Sequence, residues 1–333
     1  MREPPFWWRP GGSAAAMLAP FAAVYGAVAA RRLARNGVSA GVPVVCIGNP
    51  TVGGAGKTPA ALTIASMLAV DGETPVFLTR GYGGRLTGPV WVVPLQNRAA
   101  DVGDEPLLLA RVAPTIVARD RVAGAQGAVA AGASVIVMDD GFQNPSLAKD
   151  FSVLVVDGRR GIGNGRTIPA GPLRAPLAAQ LDRAQALIVV GEGGATGVAD
   201  EARKLALPVF GARLAPDAAF TTSLAGKRVL AFAGIGDPEK FFTTLRMVGV
   251  TVAAARGFDD HHRYTRADAQ ALCAEAERDG LALVTTEKDL ARMQGDEYAA
   301  ELAARSRALP VTLAFDDDAG FRSLLREQVT RAR

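Results

Sequence analysis

The sequence predicts an α/β protein: a doubly wound, mostly parallel sheet, a second and smaller α/β unit after it, and an apolar helix in front. Three observations carry this prediction. From Val42 onward, short runs rich in Val and Ile alternate with helical stretches long enough for right-handed crossovers. The alternation restarts after Leu207, and Ser13 to Ala30 contains no charged residue at all. At 333 residues the chain exceeds what one hydrophobic core usually organises, so a division into 1–36, 37–215 and 216–333 follows, the last contributing to a shared cleft. With 49% apolar and 21% charged residues the composition is that of a folded protein.

The first element is the apolar stretch, with Met17, Leu18, Phe21, Val24, Tyr25 and Val28 among many alanines. It is short for a span of about 20 residues, and Pro20 is expected to interrupt it. We read it as a helix lying in or dipping into a bilayer, with Trp7, Trp8 and Tyr25 at the interface and Arg31, Arg32 and Arg35 as a basic flank on the cytoplasmic side. A cleaved signal peptide ending near Ala27 to Ala30, or a helix packed on the domain, are the rival readings.

The strands of the first unit are expected at Val42 to Ile47, Pro75 to Leu78, Val90 to Val93, Thr115 to Ala118, Ser134 to Met138, Ser152 to Val156 and Ala186 to Val190. Its helices are expected at Lys57 to Val70, Glu105 to Val112 and Arg121 to Ala131. The second unit takes a strand at Val229 to Ala233, helices at Pro238 to Met247 and Arg266 to Asp279, later strands at Leu281 to Val284 and Val311 to Phe315, and a last helix over Phe321 to Val329.

Charge and cysteine content exclude some partners. Lys and Arg number 37 against 33 Asp and Glu, without a long basic block, so nucleic acid is not indicated. Cys46 and Cys273 are too few and too distant for a disulfide framework or a zinc site, which fits a reducing compartment.

Chemistry enters at the run Val44 to Thr58, which reads strand, glycine-rich loop, helix start. Glycines let successive N–H groups face one phosphate, and the helix N-terminus adds partial positive charge. This is the P-loop pattern, with Thr51 where its first glycine usually stands. It makes the fold P-loop NTPase-like, and it places Thr51, Val52, Gly53, Gly54, Ala55, Gly56, Lys57 and Thr58 on ATP. Lys57 reaches the outer phosphates, and the Thr58 hydroxyl suits Mg2+. A nucleotide site so close to the apolar helix argues against export of the chain. The run Ser134 to Met138 leads into Asp139 and Asp140, a Walker-B-like strand end in which one carboxylate serves magnesium and the other faces substrate or water.

Seven strings in order complete the motif set: Gly48-Asn-Pro-Thr-Val-Gly-Gly-Ala-Gly-Lys-Thr-Pro59, Arg80-Gly-Tyr-Gly-Gly84, Gly103-Asp-Glu-Pro106, Asp139-Asp-Gly-Phe-Gln143, Pro169-Ala-Gly-Pro-Leu-Arg174, Phe258-Asp-Asp-His261 and Thr286-Glu-Lys-Asp289. Together they resemble the tetraacyldisaccharide 4'-kinase family. The resemblance implies transfer of the γ-phosphate of ATP, with Mg2+, to the 4'-hydroxyl of an acylated disaccharide 1-phosphate glycolipid in lipid A biosynthesis. It places the enzyme at the cytoplasmic face of the bacterial inner membrane.

It also makes Asp104 and His261 the catalytic pair, alongside Lys57 and Asp140, and it gathers Glu105 and Asp139 with Thr58 around magnesium. Read alone, Asp104 is a helix-start residue before Pro106, and His261 part of a polar loop. Arg80, Arg119 and Arg121, at strand ends, suit an anionic glycolipid because a guanidinium fork pairs with phosphate oxygens. Gln143 is a candidate for the sugar, and Pro169 to Arg174 for a wall of the acceptor site. No obligate protein partner is inferred beyond the glycolipid and the membrane surface. The competing reading is a membrane-associated P-loop ATPase switch. Against it, Val52 stands where partitioning ATPases carry a further lysine, and Thr286-Glu-Lys-Asp289 has its lysine one place too late for a guanine-binding string. A non-catalytic adaptor would leave Asp104, His261 and the paired aspartates without a purpose.

Overall fold

A computed structural model describes residues 3–193 and 195–333. Among these, the strands in chain order are β1 (Val44–Gly48), β2 (Pro75–Thr79), β3 (Val90–Trp91), β4 (Thr115–Val117), β5 (Val135–Asp139), β6 (Phe151–Asp157), β7 (Ala186–Val190), β8 (Val209–Pro216), β9 (Arg228–Ala233), β10 (Thr251–Gly257), β11 (Ala282–Thr286), β12 (Ser306–Leu309) and β13 (Val311–Phe315). They form a nine-stranded sheet in the order β13-β8-β7-β6-β1-β5-β2-β4-β3 and a four-stranded sheet in the order β10-β9-β11-β12. The strands pair in parallel throughout except at the two edges of the large sheet, where β3 runs against β4 and β13 against β8.

The central strands are continuous apolar runs because helices cover both faces. Every residue of β1, β2, β5 and β6 is buried. Strand β1 lies between β5 and β6, with Ile47 opposite Asp139 and Val153. The phosphate loop and the Walker-B-like aspartates therefore leave neighbouring strands at the same carboxyl edge, where doubly wound sheets bind ligands. The helix Lys57–Val70 starts where Gly56 takes a φ of 90°, a left-handed conformation that a Cβ would strain. The helix Arg121–Ala130 is capped by Asp120, whose carboxylate accepts from the N–H groups of Val122 and Ala123.

Three expectations require correction. Val311–Phe315 and the last helix, expected in the second unit, return to the first sheet. Phe321, Leu325 and Val329, spaced along one face of the helix Asp318–Arg331, are buried in the large core, and Phe321 stacks on Phe315 at 4.2 Å. Burying three such side chains contributes roughly 5–9 kcal/mol, which decides the matter. Asp71 then accepts from Arg322 and Arg326 across the same contact. Second, Pro20 does not interrupt the apolar helix, which runs from Ser13 to Leu33. Third, Trp7 and Trp8 are half-buried on the protein: Trp7 Nε1 donates to the Pro169 carbonyl at 3.0 Å and Trp8 Nε1 to Glu3 at 3.0 Å. The helix itself buries small residues, Ala15, Ala22 and Gly26, with Leu33 at its end, and exposes Met17, Phe21, Val24 and Val28.

Candidate active site

Between β1 and the helix Lys57–Val70, the phosphate loop divides into two halves. The first half is tied down by the Pro169 to Arg174 string. The Val52 N–H donates to the Pro172 carbonyl at 2.9 Å, the Arg174 N–H to Pro50 at 2.8 Å, and Arg174 Nε to the Thr51 carbonyl at 2.9 Å. Gln143 and Gln180 prop the same segment from below, donating to the carbonyls of Asn49 and Pro50 at 3.0 and 3.2 Å. The N–H of Val52 is thus committed to protein, contrary to its expected place on the nucleotide, and the Thr51 carbonyl is held by Arg174. Gln143, expected at the sugar, is a support of the loop. The Pro169 to Arg174 string, expected as a wall of the acceptor site, is its clamp.

Lys57 sits at the centre of the cradle, its Nζ donating to Asn49 Oδ1 at 3.0 Å and lying 3.6 Å from Asp140. Burial pulls its pKa down, opposed by Asp140. Asp140 adopts a φ of 54° and pairs also with Arg174 at 3.0 Å. Burial would raise its carboxyl, but Lys57 and Arg174 hold it below the usual carboxylate range.

Asp139 is the opposite case. It is 1% exposed, and neither carboxylate oxygen has a hydrogen-bond partner. Burial first, then the charges of Glu105 and Asp140, push its pKa up to about 7. A buried carboxylate left unpaired costs stability, so it calls for a positive ligand from outside the protein. The sign is definite. Between the unfolded carboxylate pKa of about 4 and about 7 the native state binds more protons than the unfolded one. Stability therefore falls as pH rises through that window. Asp139→Asn is expected to raise the melting temperature of the ligand-free protein at pH 8 by a few degrees while removing activity. A melting curve at pH 8 and again at pH 5, where the gain shrinks, checks this.

The second cluster joins the two sheets. Asp104 begins the helix Asp104–Leu109 and is 4% exposed. Its Oδ2 accepts from Arg292 Nη2 at 2.5 Å and lies 3.4 Å from His261 Nδ1. Burial would lift this carboxyl, but the His261 hydrogen bond and the Arg292 charge hold it well below the usual range. Conversely, the hydrogen bond to Asp104 raises the His261 pKa. His261 is presented by a left-handed turn with φ 57°, its N–H donating to the Gly234 carbonyl, and its ring lies 5.3 Å from that of Tyr82.

Asp289, fully buried, accepts from Thr286 at 2.6 Å, Tyr264 at 3.0 Å and the Gly234 N–H at 3.1 Å, and aims Arg292 at 2.7 Å. Lys288 Nζ donates to Glu105 at 2.6 Å. The Thr286-Glu-Lys-Asp289 string is therefore a helix start that delivers Lys288 and Arg292 to the two acidic residues of Gly103-Asp-Glu-Pro106. In the sequence that string counted toward the family resemblance and against a guanine-binding site, with no role for its individual residues. Its Thr-x-x-Asp capping pattern was the available signal for a helix N-terminus there. Beside Asp104 and His261 opens a cavity of about 420 Å³, lined also by Tyr82, Arg263 and Tyr264. The phosphate loop is not part of its lining.

Of the three arginines expected at an anionic substrate, Arg80 and Arg119 are exposed at the ends of β2 and β4. Arg121 is buried, its Nη1 donating to the Ala118 carbonyl, and burial together with the nearby Arg80 charge lowers its pKa to about 10. It has turned inward from the edge.

Comparison with known proteins decides the family. The family described as LpxK, tetraacyldisaccharide-1-P 4'-kinase, matches residues 14–330. The chain belongs to this family. It is 56% identical over 334 residues to the tetraacyldisaccharide 4'-kinase of Nitrobacter winogradskyi, covering 100% of this chain and 99% of that one. It is 57% identical to the protein of the same name from Nitrobacter hamburgensis, with 100% of both chains covered. A crystal structure described as an "apo" form of LpxK from Aquifex aeolicus in complex with ATP superposes with a TM-score of 0.72 at 24% identity, covering 95% of this chain and 99% of that one. The LpxK fold thus extends over both sheets of the present protein.

Proposed function

We propose that this kinase transfers the γ-phosphate of ATP to the 4'-hydroxyl of tetraacyldisaccharide 1-phosphate, giving the 1,4'-bisphosphate in lipid A biosynthesis. The observation that carries the reading is the meeting of Asp104, His261 and Arg292 on a cavity of about 420 Å³ where the two sheets join, with the P-loop at the carboxyl edge of the larger sheet. In this reading the cradle Gly53 to Thr58 holds the polyphosphate, and Lys57 neutralises its outer end.

The orphaned oxygens of Asp139 and the buried Thr58 hydroxyl are hard-oxygen donors that fit Mg2+, with Glu105 as the third candidate ligand. Among the described residues no cluster of three or more His, Cys, Asp and Glu side chains could hold a metal alone. When bound, the ion supplies charge neutralisation on the phosphate oxygens.

The 4'-oxygen attacks the γ-phosphorus, the bond to the β-phosphate bridging oxygen breaks, and ADP leaves with that electron pair. The hydroxyl proton goes to Asp104. A carboxylate held so acidic by its neighbours is a weak base, so it takes the proton late, as the new P–O bond makes the hydroxyl acidic. His261 steadies the carboxylate, and Arg292 keeps it in place. Arg80 and Arg119 remain to meet the acceptor's anion at the sheet edge, whereas Arg121 and Gln143 act through the scaffold.

Association with the cytoplasmic face of the inner membrane rests on the helix Ser13–Leu33, whose mean hydropathy reaches 1.6 with only 17% of that window buried. Met17→Glu combined with Phe21→Glu is expected to move the protein from the membrane fraction to the soluble one at unchanged melting temperature. Retention on membranes would contradict this placement.

The reaction itself is tested by transfer of label from γ-labelled ATP to the glycolipid in detergent micelles with magnesium. Lipid-dependent label in the lipid phase is the expected result. Phosphate released to water regardless of lipid would favour an ATPase.

A further inference from the structure

The segment ahead of the apolar helix is fastened to the phosphate loop. Trp7 is held from both sides: its indole donates to Pro169, and its carbonyl accepts from the Asn164 N–H at 2.7 Å. Asn164 Nδ2 reaches the Phe6 carbonyl at 3.3 Å. The same segment sets Glu3 against Gly53. A Cβ added at Gly53 would fall 2.3 Å from Glu3 Oε1, so the carboxylate lies directly against the loop. Its other oxygen accepts from Trp8 Nε1 at 3.0 Å and from Arg160 Nη1 at 2.9 Å, and the Arg160 guanidinium lies over the Trp8 ring at 5.1 Å. Arg160 faces one further acid, Asp237, at 3.6 Å, which Arg159 already engages.

A glycine-rich loop at a helix N-terminus attracts an anion. Here the chain's own Glu3 carboxylate lies beside Gly53 of that loop, paired with an arginine. We propose that Arg160 binds the outer phosphates of the nucleotide, and that the Glu3 carboxylate holds their place on the loop until nucleotide displaces it. The inference rests on the reading of ATP as the donor. The chemistry of exchange is favourable. A phosphate group offers more charge and more acceptor oxygens than a carboxylate, and a guanidinium fork matches it better than it matches one carboxylate oxygen. Both members of the pair are partly solvent-accessible, 30% for Arg160 and 26% for Glu3, so the swap exposes no buried charge. Arg160 would then add to Lys57 a second positive group at the outer phosphates.

Calorimetric titration of the full-length protein in detergent micelles with ATP and with AMP, in magnesium and without acceptor, tests this. Glu3→Gln keeps the Trp8 hydrogen bond but removes the competing charge, and it is expected to bind ATP roughly three- to tenfold more tightly than wild type. Arg160→Met is expected to bind ATP about tenfold more weakly. AMP, which lacks the outer phosphates, should bind all three proteins alike. Equal ATP affinity for wild type and Glu3→Gln overturns the inference, as does an AMP affinity that shifts in step with ATP. Melting curves guard against a misfolded Arg160→Met, in which case Glu3→Gln alone decides. Failure of the wild type to bind ATP at all would instead count against the donor reading.

Discussion

Asp104→Asn is expected to slow phosphoryl transfer by about 10²- to 10⁴-fold, the usual worth of a positioned general base, with the affinity for ATP little changed. The asparagine keeps the shape of the helix start but can neither accept the hydroxyl proton nor balance the charges of Arg292 and His261, which meet on Asp104 at 2.5 and 3.4 Å. Single-turnover transfer with enzyme in excess reads the chemical step directly. Turnover at the wild-type rate would remove Asp104 from the mechanism. Asp104→Ala tests the structural share: Arg292, only 8% exposed in its side chain, loses one of its two carboxylate partners and keeps Asp289. With that partner retained the loss falls short of the about 3–5 kcal/mol of a buried charge left unpaired, so that variant should melt below wild type yet still fold.

Lys57→Met is expected to abolish measurable transfer, a loss of at least ~10³-fold, on the scale of removing a cationic clamp from a transferring phosphoryl group. The lysine makes two contacts at the centre of the loop. It bridges Asn49 of the loop and Asp140 of the strand end, and its ammonium is the charge directed at the cradle between them. Loss of a buried cation next to Asp140 leaves Arg174 as that carboxylate's remaining partner, so the fold should survive. Transfer assays at saturating ATP, with circular dichroism as the control, check both halves. A Lys57→Met enzyme that retains a tenth of its activity would show that the outer phosphates are held elsewhere.

Much of the nucleotide half was legible because it is local. The elements Lys57–Val70 and Ala186–Val190 fall where periodicity and composition put them. The glycine-rich loop carries its chemistry in consecutive residues. What local pattern cannot supply is destination. The strand Val311–Phe315 was recognised as a strand, yet nothing in five alternating residues says that Leu313 and Phe315 complete the first core rather than the second.

The same limit explains the site residues that were missed. Arg174 lies 34 positions from its partner Asp140, and Arg292 lies 188 from Asp104. Both pairs exist only once the sheets are assembled. Arg121 and Gln143 were misplaced for the converse reason. A polar residue just past a strand end can point into the cleft or back beneath it, and here Gln143 hydrogen-bonds Asn49 and Gln180 while Arg121 turns to Ala118.

The central claim is that this chain makes a phosphate ester at one particular hydroxyl, and the bond formed can be observed. Phosphorus NMR of the product from ATP and tetraacyldisaccharide 1-phosphate should show a second phosphomonoester signal coupled to the proton at sugar position 4', in an amount equal to the ADP released. Inorganic phosphate as the phosphorus product, or a new phosphoanhydride on the 1-phosphate, would contradict the account.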